Sequence, residues 1–251
     1  MDIPALREGE KLEPLSKSVS VITGNGYFFS TDTILLAWFS MPKEGETCAD
    51  LGTGCGTIPL LWCARSKPHR VFAVEIQPEA CCMARRSAEF NGLQDVVHVA
   101  ECDIREAHQK GQVPYALDLV ACNPPYKAAG SGVVSAARGD RIARHETVCG
   151  FAEIAAAAAG SLRWGGRFYC CMRPERLCET LEALHKTGLE PKRLRFVQQR
   201  EGAAPFLFLL QASRGGKPGI RVEPVLLIEN GSGGLSAEMM DIYGDYKEGR
   251  T

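Results

Sequence analysis

The tetrapeptide Asn123-Pro124-Pro125-Tyr126 follows an apolar run, residues 117–122, that is typical of a buried strand. Two successive prolines hold the backbone extended and rigid, because the residue before a proline is driven out of the helical region. This arrangement presents two acceptors, the Asn123 side-chain oxygen and the Pro124 carbonyl, to a single amino group. Acceptors for both hydrogens of an aromatic amine would favour a tetrahedral nitrogen with its lone pair aimed at an electrophile. Tyr126 could stack on the base that carries the amine. The tetrapeptide therefore predicts a site that binds and activates an amino group.

A glycine-rich turn, Asp50-Leu51-Gly52-Thr53-Gly54-Cys55-Gly56, lies between a predicted strand and a predicted helix. Its glycines allow the backbone to approach a ligand closely. Glu75 ends the next predicted strand, where a carboxylate can accept both hydroxyls of a ribose. Asp103 follows the third strand, where it could accept from an adenine amino group. Since no basic residue joins the turn, the pattern favours a ligand with a ribose, an adenine and a cationic or amino end. S-adenosylmethionine has all three.

These groups need a scaffold of alternating strands and helices, and the sequence predicts one. Strands are predicted at residues 48–51, 70–75, 96–100, 117–122, 166–172, 191–198 and 206–211, and helices at 31–39, 58–65, 78–91, 150–162 and 174–186. The alternation implies an α/β, Rossmann-like fold: a mostly parallel, seven-stranded sheet with helices on both faces. The last two strands are close enough in sequence to form a terminal antiparallel hairpin. The carboxyl ends of the parallel strands meet at one edge, so the acidic residues and Asn123 are predicted to converge there.

No repeat or low-complexity linker divides the chain, so residues 1–251 are predicted to form a single domain. An N-terminal extension, about residues 1–46, is expected to contain a hairpin over 18–29, around Gly24-Asn25-Gly26, and then the first helix. A C-terminal extension, about residues 221–251, is expected to contain a short strand and a short helix.

The composition argues against several classes of protein. No run approaches the roughly 18 apolar residues of a membrane span, and the charged N-terminus lacks the apolar centre of a secretory signal. A soluble, cytoplasmic protein is therefore expected. The 11 cysteines are odd in number, include no C-x-x-C, and have no histidines at zinc-site spacing. They are predicted to be small buried hydrophobic residues in a reducing compartment, with no metal site.

The net charge of −1 conceals an asymmetry along the chain. Residues 1–126 carry 11 Lys and Arg against 16 Asp and Glu, a balance of −5, whereas residues 127–221 carry 16 against 8, a balance of +8. Residues 222–251 carry 2 against 6, a balance of −4. The positive charge begins directly after Tyr126, which favours an anionic partner near the tetrapeptide. The alternative is that the arginines only decorate exposed helices.

With these motifs the chain resembles the bacterial valine-tRNA adenine-N6 methyltransferases, a family of class I S-adenosylmethionine-dependent enzymes. The resemblance covers about residues 15–245. Besides the glycine turn and the N-P-P-Y tetrapeptide, it includes Phe29-Ser30-Thr31-Asp32, Val74-Glu75-Ile76-Gln77, Asp103-Ile104-Arg105 and Ala143-Arg144-His145-Glu146. It implies methyl transfer to the exocyclic N6 of an adenine in the anticodon loop of a valine tRNA.

The resemblance also implies a role for individual residues. S-adenosylmethionine would be held by Asp32, Asp50, Gly52, Thr53, Gly54, Gly56, Glu75, Ile76, Asp103, Ile104 and Asn123. The catalytic motif, which holds the flipped base, would be Asn123, Pro124, Pro125 and Tyr126. The RNA phosphates would meet Lys127, Arg138, Arg141 and Arg144.

Two alternatives share part of this pattern. Protein-glutamine N5-methyltransferases also use N-P-P-Y, but they typically carry a sizeable helical domain before the glycine turn, and only 47 residues precede Cys48 here. A non-catalytic module of the same fold that binds RNA or cofactor would have no need of Asn123. Methyl transfer to tRNA is the main prediction, and the oligomeric state is left open.

Overall fold

A computed structural model describes residues 5–124 and 149–244 as a central β-sheet with helices on both faces. The strands are β1 Glu10–Pro14, β2 Ser20–Gly24, β3 Thr47–Leu51, β4 Arg70–Glu75, β5 Val97–Glu101, β6 Leu117–Cys122, β7 Leu162–Met172, β8 Leu189–Gln198, β9 Leu207–Arg214, β10 Arg221–Val222 and β11 Leu226–Leu227. The helices are α1 Thr31–Phe39, α2 Thr57–Arg65, α3 Pro78–Phe90, α4 Phe151–Ser161, α5 Leu177–Lys186 and α6 Ala237–Tyr243. The predicted α/β fold class is confirmed.

The order of the seven long strands in the sheet is β5-β4-β3-β6-β7-β9-β8. Strands β3 to β7 are parallel, and β9 is antiparallel to both of its neighbours, β7 and β8. This is the predicted parallel sheet with a terminal antiparallel hairpin. The short strands β10 and β11 extend it beyond the prediction by pairing in parallel with β8.

Side chains alternate between two apolar cores, one on each face of the sheet, as the pleat of a strand requires. Along β6, Leu119 and Ala121 join the core formed with α1, α2, α3 and α6. Val120 and Cys122 join the core formed with α4 and α5. The parallel strands are therefore buried on both faces, and the residue after β6, Asn123, continues the alternation toward α1.

The predicted hairpin over residues 18–29 is wrong in its strand pairing. Strand β2 pairs with β1 instead, with Leu12 opposite Ile22. Asn25 and Gly26 do form a tight turn, with φ of 51° and 89°, but it closes only the single bridge between Gly24 and Tyr27. The chain cannot continue as a strand after this turn because Ser30 is already the N-cap of α1.

Smaller differences concern the boundaries of elements. Strand β7 begins directly after α4 at Leu162, four residues earlier than predicted. The predicted helix over 174–186 is divided into a 3-10 turn, Pro174–Arg176, and α5. The described part of the tail contains two short strands and a helix, where one strand was predicted.

The cysteines behave largely as small core residues. All 11 are free thiols, and seven of them are buried. Cys63, Cys82 and Cys149 are half-buried and Cys178 is exposed, so the prediction of burial does not extend to these four.

None of the helices in the described part of the chain has the length and apolar character of a membrane span. Within residues 5–124 and 149–244, no cluster of His, Cys, Asp and Glu is arranged to hold a metal ion.

Candidate active site

The ends of β3, β4, β5 and β6 bring the predicted polar residues to one edge of the sheet. Asp50 on β3 is in register with Ala73 on β4 and with Ala121 on β6. Glu75 is the last residue of β4, Asp103 lies two residues after the end of β5, and Asn123 comes directly after β6. The convergence expected from the alternation of strands and helices is therefore present.

The glycine turn is anchored to the neighbouring strand and leaves open space beside it. The Gly52 and Thr53 amides both donate to the Val74 carbonyl, at 2.8 and 2.9 Å. Gly54 has a φ of +57°, and no atom of the described residues lies within 4 Å of a Cβ added there, apart from its chain neighbours. Gly56 has a φ of +89°, and a Cβ there would lie 3.2 Å from the Ala84 Cβ. Gly56 thus permits close packing on α3, whereas the space beside Gly54 is accessible to a ligand.

The Glu75 carboxylate is oriented by three backbone amides. Its Oε2 accepts from Gly54 at 2.9 Å, and its Oε1 accepts from Ile76 at 2.9 Å and Gln77 at 3.0 Å. The side chain is buried with only 6% of its surface exposed. These bonds tie the glycine turn to the end of β4, so the carboxylate and the turn face any ligand as one rigid unit.

Asp50, near the end of β3, is a buried carboxylate. Neither of its oxygens has a hydrogen-bond partner among the described residues, and the same holds for the Thr53 hydroxyl. Burial raises the pKa of Asp50 from 3.8 to about 7, and the electrostatic effect of Glu75 acts in the same direction. The nearby Thr53 hydroxyl acts to lower this pKa, although its position does not satisfy the geometry of a hydrogen bond to Asp50. An unsatisfied buried acceptor costs about 1–3 kcal/mol, so this position is better suited to binding a donor ligand than to stabilising the fold.

Asp103 is paired with Arg105, a contact that the sequence analysis did not anticipate. Asp103 Oδ1 accepts from the Arg105 backbone amide at 2.9 Å and from Nε at 3.0 Å, and Oδ2 accepts from Nη2 at 2.5 Å. These bonds lower the pKa of Asp103. The lowered pKa favours the ionised carboxylate, whose two oxygens act only as acceptors.

Apolar surface lies beside these acidic groups. Ile76, directly after Glu75, is 45% exposed. Ile104 packs against the core on the α4 face, and its Cδ1 lies 4.0 Å from a Cβ added to Gly52. Two branched aliphatic side chains at this edge are suited to contact the faces of a flat aromatic ring.

The Asn123 side chain is held at both ends. Its Nδ2 donates to Thr33 Oγ1 at 3.1 Å, and its Oδ1 accepts from Cys171 Sγ at 3.2 Å. Asn123 is half-buried, and the following Pro124 is buried. The sequence analysis missed Thr33 and interpreted Cys171 only as a core residue, because both partners are far away along the chain.

Asp32 lies in the first turn of α1 and is 8% exposed. Its Oδ2 is 3.9 Å from Nη2 of Arg173, which follows β7. Nη1 of Arg173 donates to the Phe206 carbonyl just before β9, at 2.9 Å. The N-terminus of α1 is thereby linked to the end of β7, at the same edge of the sheet as Asn123. Six predicted site residues lie outside the described residues: Pro125, Tyr126, Lys127, Arg138, Arg141 and Arg144.

The strand order, the glycine-rich turn after β3, the carboxylate that ends β4 and the Asn-Pro pair after β6 together define a class I methyltransferase. Comparison with protein families agrees, since residues 29–186, more than half of the chain, match the model of the methyltransferase small domain. The chain belongs to the methyltransferase small-domain family.

Two relatives carry the name tRNA1(Val) (adenine(37)-N6)-methyltransferase. The one from Shewanella amazonensis is 29% identical over 193 residues, which span 76% of this chain and 80% of the relative. The one from Escherichia coli is 27% identical over 178 residues, which span 65% of this chain and 71% of the relative.

Solved structures show the same fold at lower sequence identity. A predicted O-methyltransferase from Agrobacterium tumefaciens superposes with a TM-score of 0.69 at 22% identity, over 86% of this chain and 97% of that protein. The 16S rRNA N2 G1207 methyltransferase of T. thermophilus superposes with a TM-score of 0.57 at 17% identity, over 85% of this chain and 53% of that protein.

Proposed function

We propose that this protein is a cytoplasmic S-adenosylmethionine-dependent methyltransferase that modifies the exocyclic N6 of an adenine in tRNA. The observation that carries the proposal is the position of the Asn123 amide. It lies at the end of β6, next to the strand that leads into the glycine turn, and Thr33 and Cys171 hold it in place. The names of the relatives, which specify adenine 37 of tRNA1(Val), support this nucleotide as the substrate.

The residues at this edge of the sheet fit S-adenosylmethionine. Glu75, oriented by backbone amides, would accept hydrogen bonds from the ribose hydroxyls. Ile76 and Ile104 would contact the adenine ring, and Asp103 would accept from its amino group. None of the described residues donates to the buried carboxylate of Asp50, which would attract the cationic part of the cofactor. The space beside Gly54 allows the backbone to contact the ligand directly.

When bound, the cofactor supplies an electrophilic methyl group on a positively charged sulfur. The chain then has to position and activate a weakly nucleophilic aromatic amine. Asn123 Oδ1 and the Pro124 carbonyl would accept its two hydrogens, which favours a tetrahedral nitrogen and directs the lone pair toward the methyl group. The nitrogen becomes cationic on methylation and releases a proton to water, so no strong base is required of the chain.

The contacts with RNA are proposed from the sequence alone. Four cations belong to the segment with a charge balance of +8: Lys127, directly after the catalytic tetrapeptide, and Arg138, Arg141 and Arg144 further along the chain. Phosphates flanking a flipped adenine would lie near that tetrapeptide, where cations could neutralise them. Tyr126 would stack on the flipped base.

The proposal is tested by incubating the purified protein with labelled S-adenosylmethionine and unmodified bulk tRNA, and then analysing the nucleosides. Label in N6-methyladenosine is the expected result. Absence of RNA label while the protein still binds S-adenosylmethionine would overturn the proposed substrate. A parallel incubation with glutamine-containing protein substrates would then detect amide methylation.

The role of Asn123 is tested by replacing it with alanine. Asn123→Ala should abolish methyl transfer, because one of the two acceptors for the amine is removed. Binding of S-adenosylmethionine, measured by calorimetry, should stay close to that of the wild type. Methyl transfer that survives the substitution would show that the Asn123 oxygen is not the acceptor.

A further inference from the structure

We propose that Thr33 and Cys171 are positioning residues that set which end of the Asn123 amide faces the substrate. The inference rests on the proposed function, because it concerns the acceptor that would bind the adenine amine. An asparagine can present either its oxygen or its nitrogen in one place by rotating half a turn. Only the oxygen can accept from an amine, so the site needs a device that prevents this rotation.

Thr33 contacts the nitrogen end of the amide and fixes its position. Its Oγ1 accepts from the Ser30 backbone amide at 3.4 Å, as part of the N-terminal cap of α1, and from Asn123 Nδ2 at 3.1 Å. Both of these groups are donors only, so Thr33 acts toward each of them as an acceptor. The cap of α1 thereby fixes the Thr33 hydroxyl at the point where the Asn123 nitrogen lies.

Cys171 recognises the oxygen end. Cys122 is in register with Cys170 across β6 and β7, which places the next pair, Asn123 and Cys171, beside each other. The Cys171 side chain is fully buried, and its Sγ lies 3.2 Å from Asn123 Oδ1, to which it donates. A thiol sulfur is a weak acceptor, so a rotated amide would place its nitrogen against a poor partner.

Because Thr33 holds the nitrogen end and the Cys171 thiol is a poor acceptor for it, the two contacts together favour one orientation of the amide. A carbonyl oxygen has two lone pairs, so accepting from the thiol still permits acceptance from a substrate amine. In the favoured orientation the oxygen lies on the β7 side of the residue and the nitrogen on the α1 side. Thr33 and Cys171 would therefore affect the rate of methyl transfer without touching the cofactor or the RNA.

Thr33 is tested by a pair of substitutions. Thr33→Val preserves the shape of the side chain and removes the acceptor, whereas Thr33→Ser keeps the hydroxyl. We expect Thr33→Val to lower kcat about tenfold, a factor that corresponds to 1.36 kcal/mol, with KM for tRNA and Kd for S-adenosylmethionine within about twofold of wild type. Thr33→Ser should recover most of the lost rate.

Cys171 is tested in the same way. Cys171→Ala should lower kcat about threefold, less than Thr33→Val because a thiol is a weak donor, and Cys171→Ser should restore the donor and the rate. Cys170→Ala is the matched control on the same strand, since Cys170 is equally buried but faces the core on the opposite side of the sheet. Thr180→Val controls for loss of a buried hydroxyl in α5. Both controls should leave kcat unchanged.

A readout independent of activity separates this inference from the proposed function. The side-chain amide of Asn123, assigned in a 15N NMR spectrum by its loss in Asn123→Ala, should shift or broaden in Thr33→Val and not in Thr180→Val. An unperturbed Asn123 signal, or a Thr33→Ser variant as slow as Thr33→Val, would overturn the positioning role. If the wild-type protein leaves tRNA unmethylated, the proposed substrate is refuted. If Thr33→Val still perturbs the Asn123 signal in that case, the positioning role of Thr33 is retained.

Discussion

Replacing Asp50 by asparagine should make the ligand-free protein less sensitive to pH. Asp50 is completely buried, and its carboxylate has no hydrogen-bond partner among the described residues. Burial raises the pKa of this carboxyl from 3.8 to about 7. The folded protein thus keeps the proton up to about pH 7, whereas the unfolded chain releases it near pH 4.

The sign of the effect follows from this difference in proton binding. Where the folded state binds more protons than the unfolded state, stability falls as the pH rises, and above the folded pKa it becomes constant. Two pH units separate pH 5 from the folded pKa of Asp50. At 1.36 kcal/mol per unit, the wild type should lose roughly 3 kcal/mol between pH 5 and pH 8 relative to Asp50→Asn. Any constant cost of the new amide cancels in this comparison.

The assay is urea denaturation of both proteins at pH 5, 6, 7 and 8 in the absence of S-adenosylmethionine. Asp118→Asn is the control. Burial acts to raise the pKa of Asp118, but hydrogen bonds from the Thr47 amide and Arg163 outweigh burial, and the pKa is lowered overall. The contribution of Asp118 to the free energy of unfolding is therefore lost only in more acidic solution. The stability difference between wild type and Asp118→Asn should therefore be constant from pH 5 to pH 8. A constant difference for Asp50→Asn as well would refute the assignment of a raised pKa to Asp50.

Two further predictions concern the glycine turn and its anchor. Glu75→Gln should weaken S-adenosylmethionine binding at least tenfold in calorimetry, because an amide side chain cannot accept from all the backbone donors that orient the carboxylate. The control is Glu101→Gln, an exposed residue on the adjacent strand, which should bind the cofactor normally. An unchanged Kd for Glu75→Gln would contradict the proposed ribose contact. Gly56→Ala should lower the free energy of unfolding by more than the ~1–2 kcal/mol expected for a left-handed residue, because the added Cβ would lie 3.2 Å from the Ala84 Cβ. Gly92→Ala isolates the backbone cost, because Gly92 has a positive φ and a Cβ there would meet none of the described residues within 4 Å. Equal losses of stability in the two variants would show that packing on Ala84 contributes nothing.

Much of the fold and of the proposed site followed from local sequence patterns. Apolar runs of strand length alternate with amphipathic segments, and the alternation implies parallel strands with their carboxyl ends at one edge. The glycines after β3, the carboxylate that ends β4 and the Asn-Pro pair after β6 lie at those ends, so their convergence was predictable. Each of these signals depends on a few neighbouring residues, which is why the sequence alone contained them.

The pairing of β2 was not predictable in the same way. The Asn25-Gly26 turn is a strong hairpin signal, and the turn does form. Strand β2, which leads into this turn, pairs with the preceding β1. The segment after the turn is not available as a partner because the chain enters α1 soon afterwards. Local turn propensity specified the bend, and competition between two neighbouring segments decided the pairing.

The environment of the site was decided by tertiary structure alone. Thr33 and Cys171 are 90 and 48 residues away from Asn123, and only the packing of α1 and the register of β6 with β7 bring them to its two ends. The raised pKa of Asp50 likewise depends on burial between layers that are distant in sequence. The sequence by itself determined which chemical groups stand at the ends of the strands. The fold determined how those groups are oriented and charged, because orientation and charge depend on contacts between residues far apart along the chain.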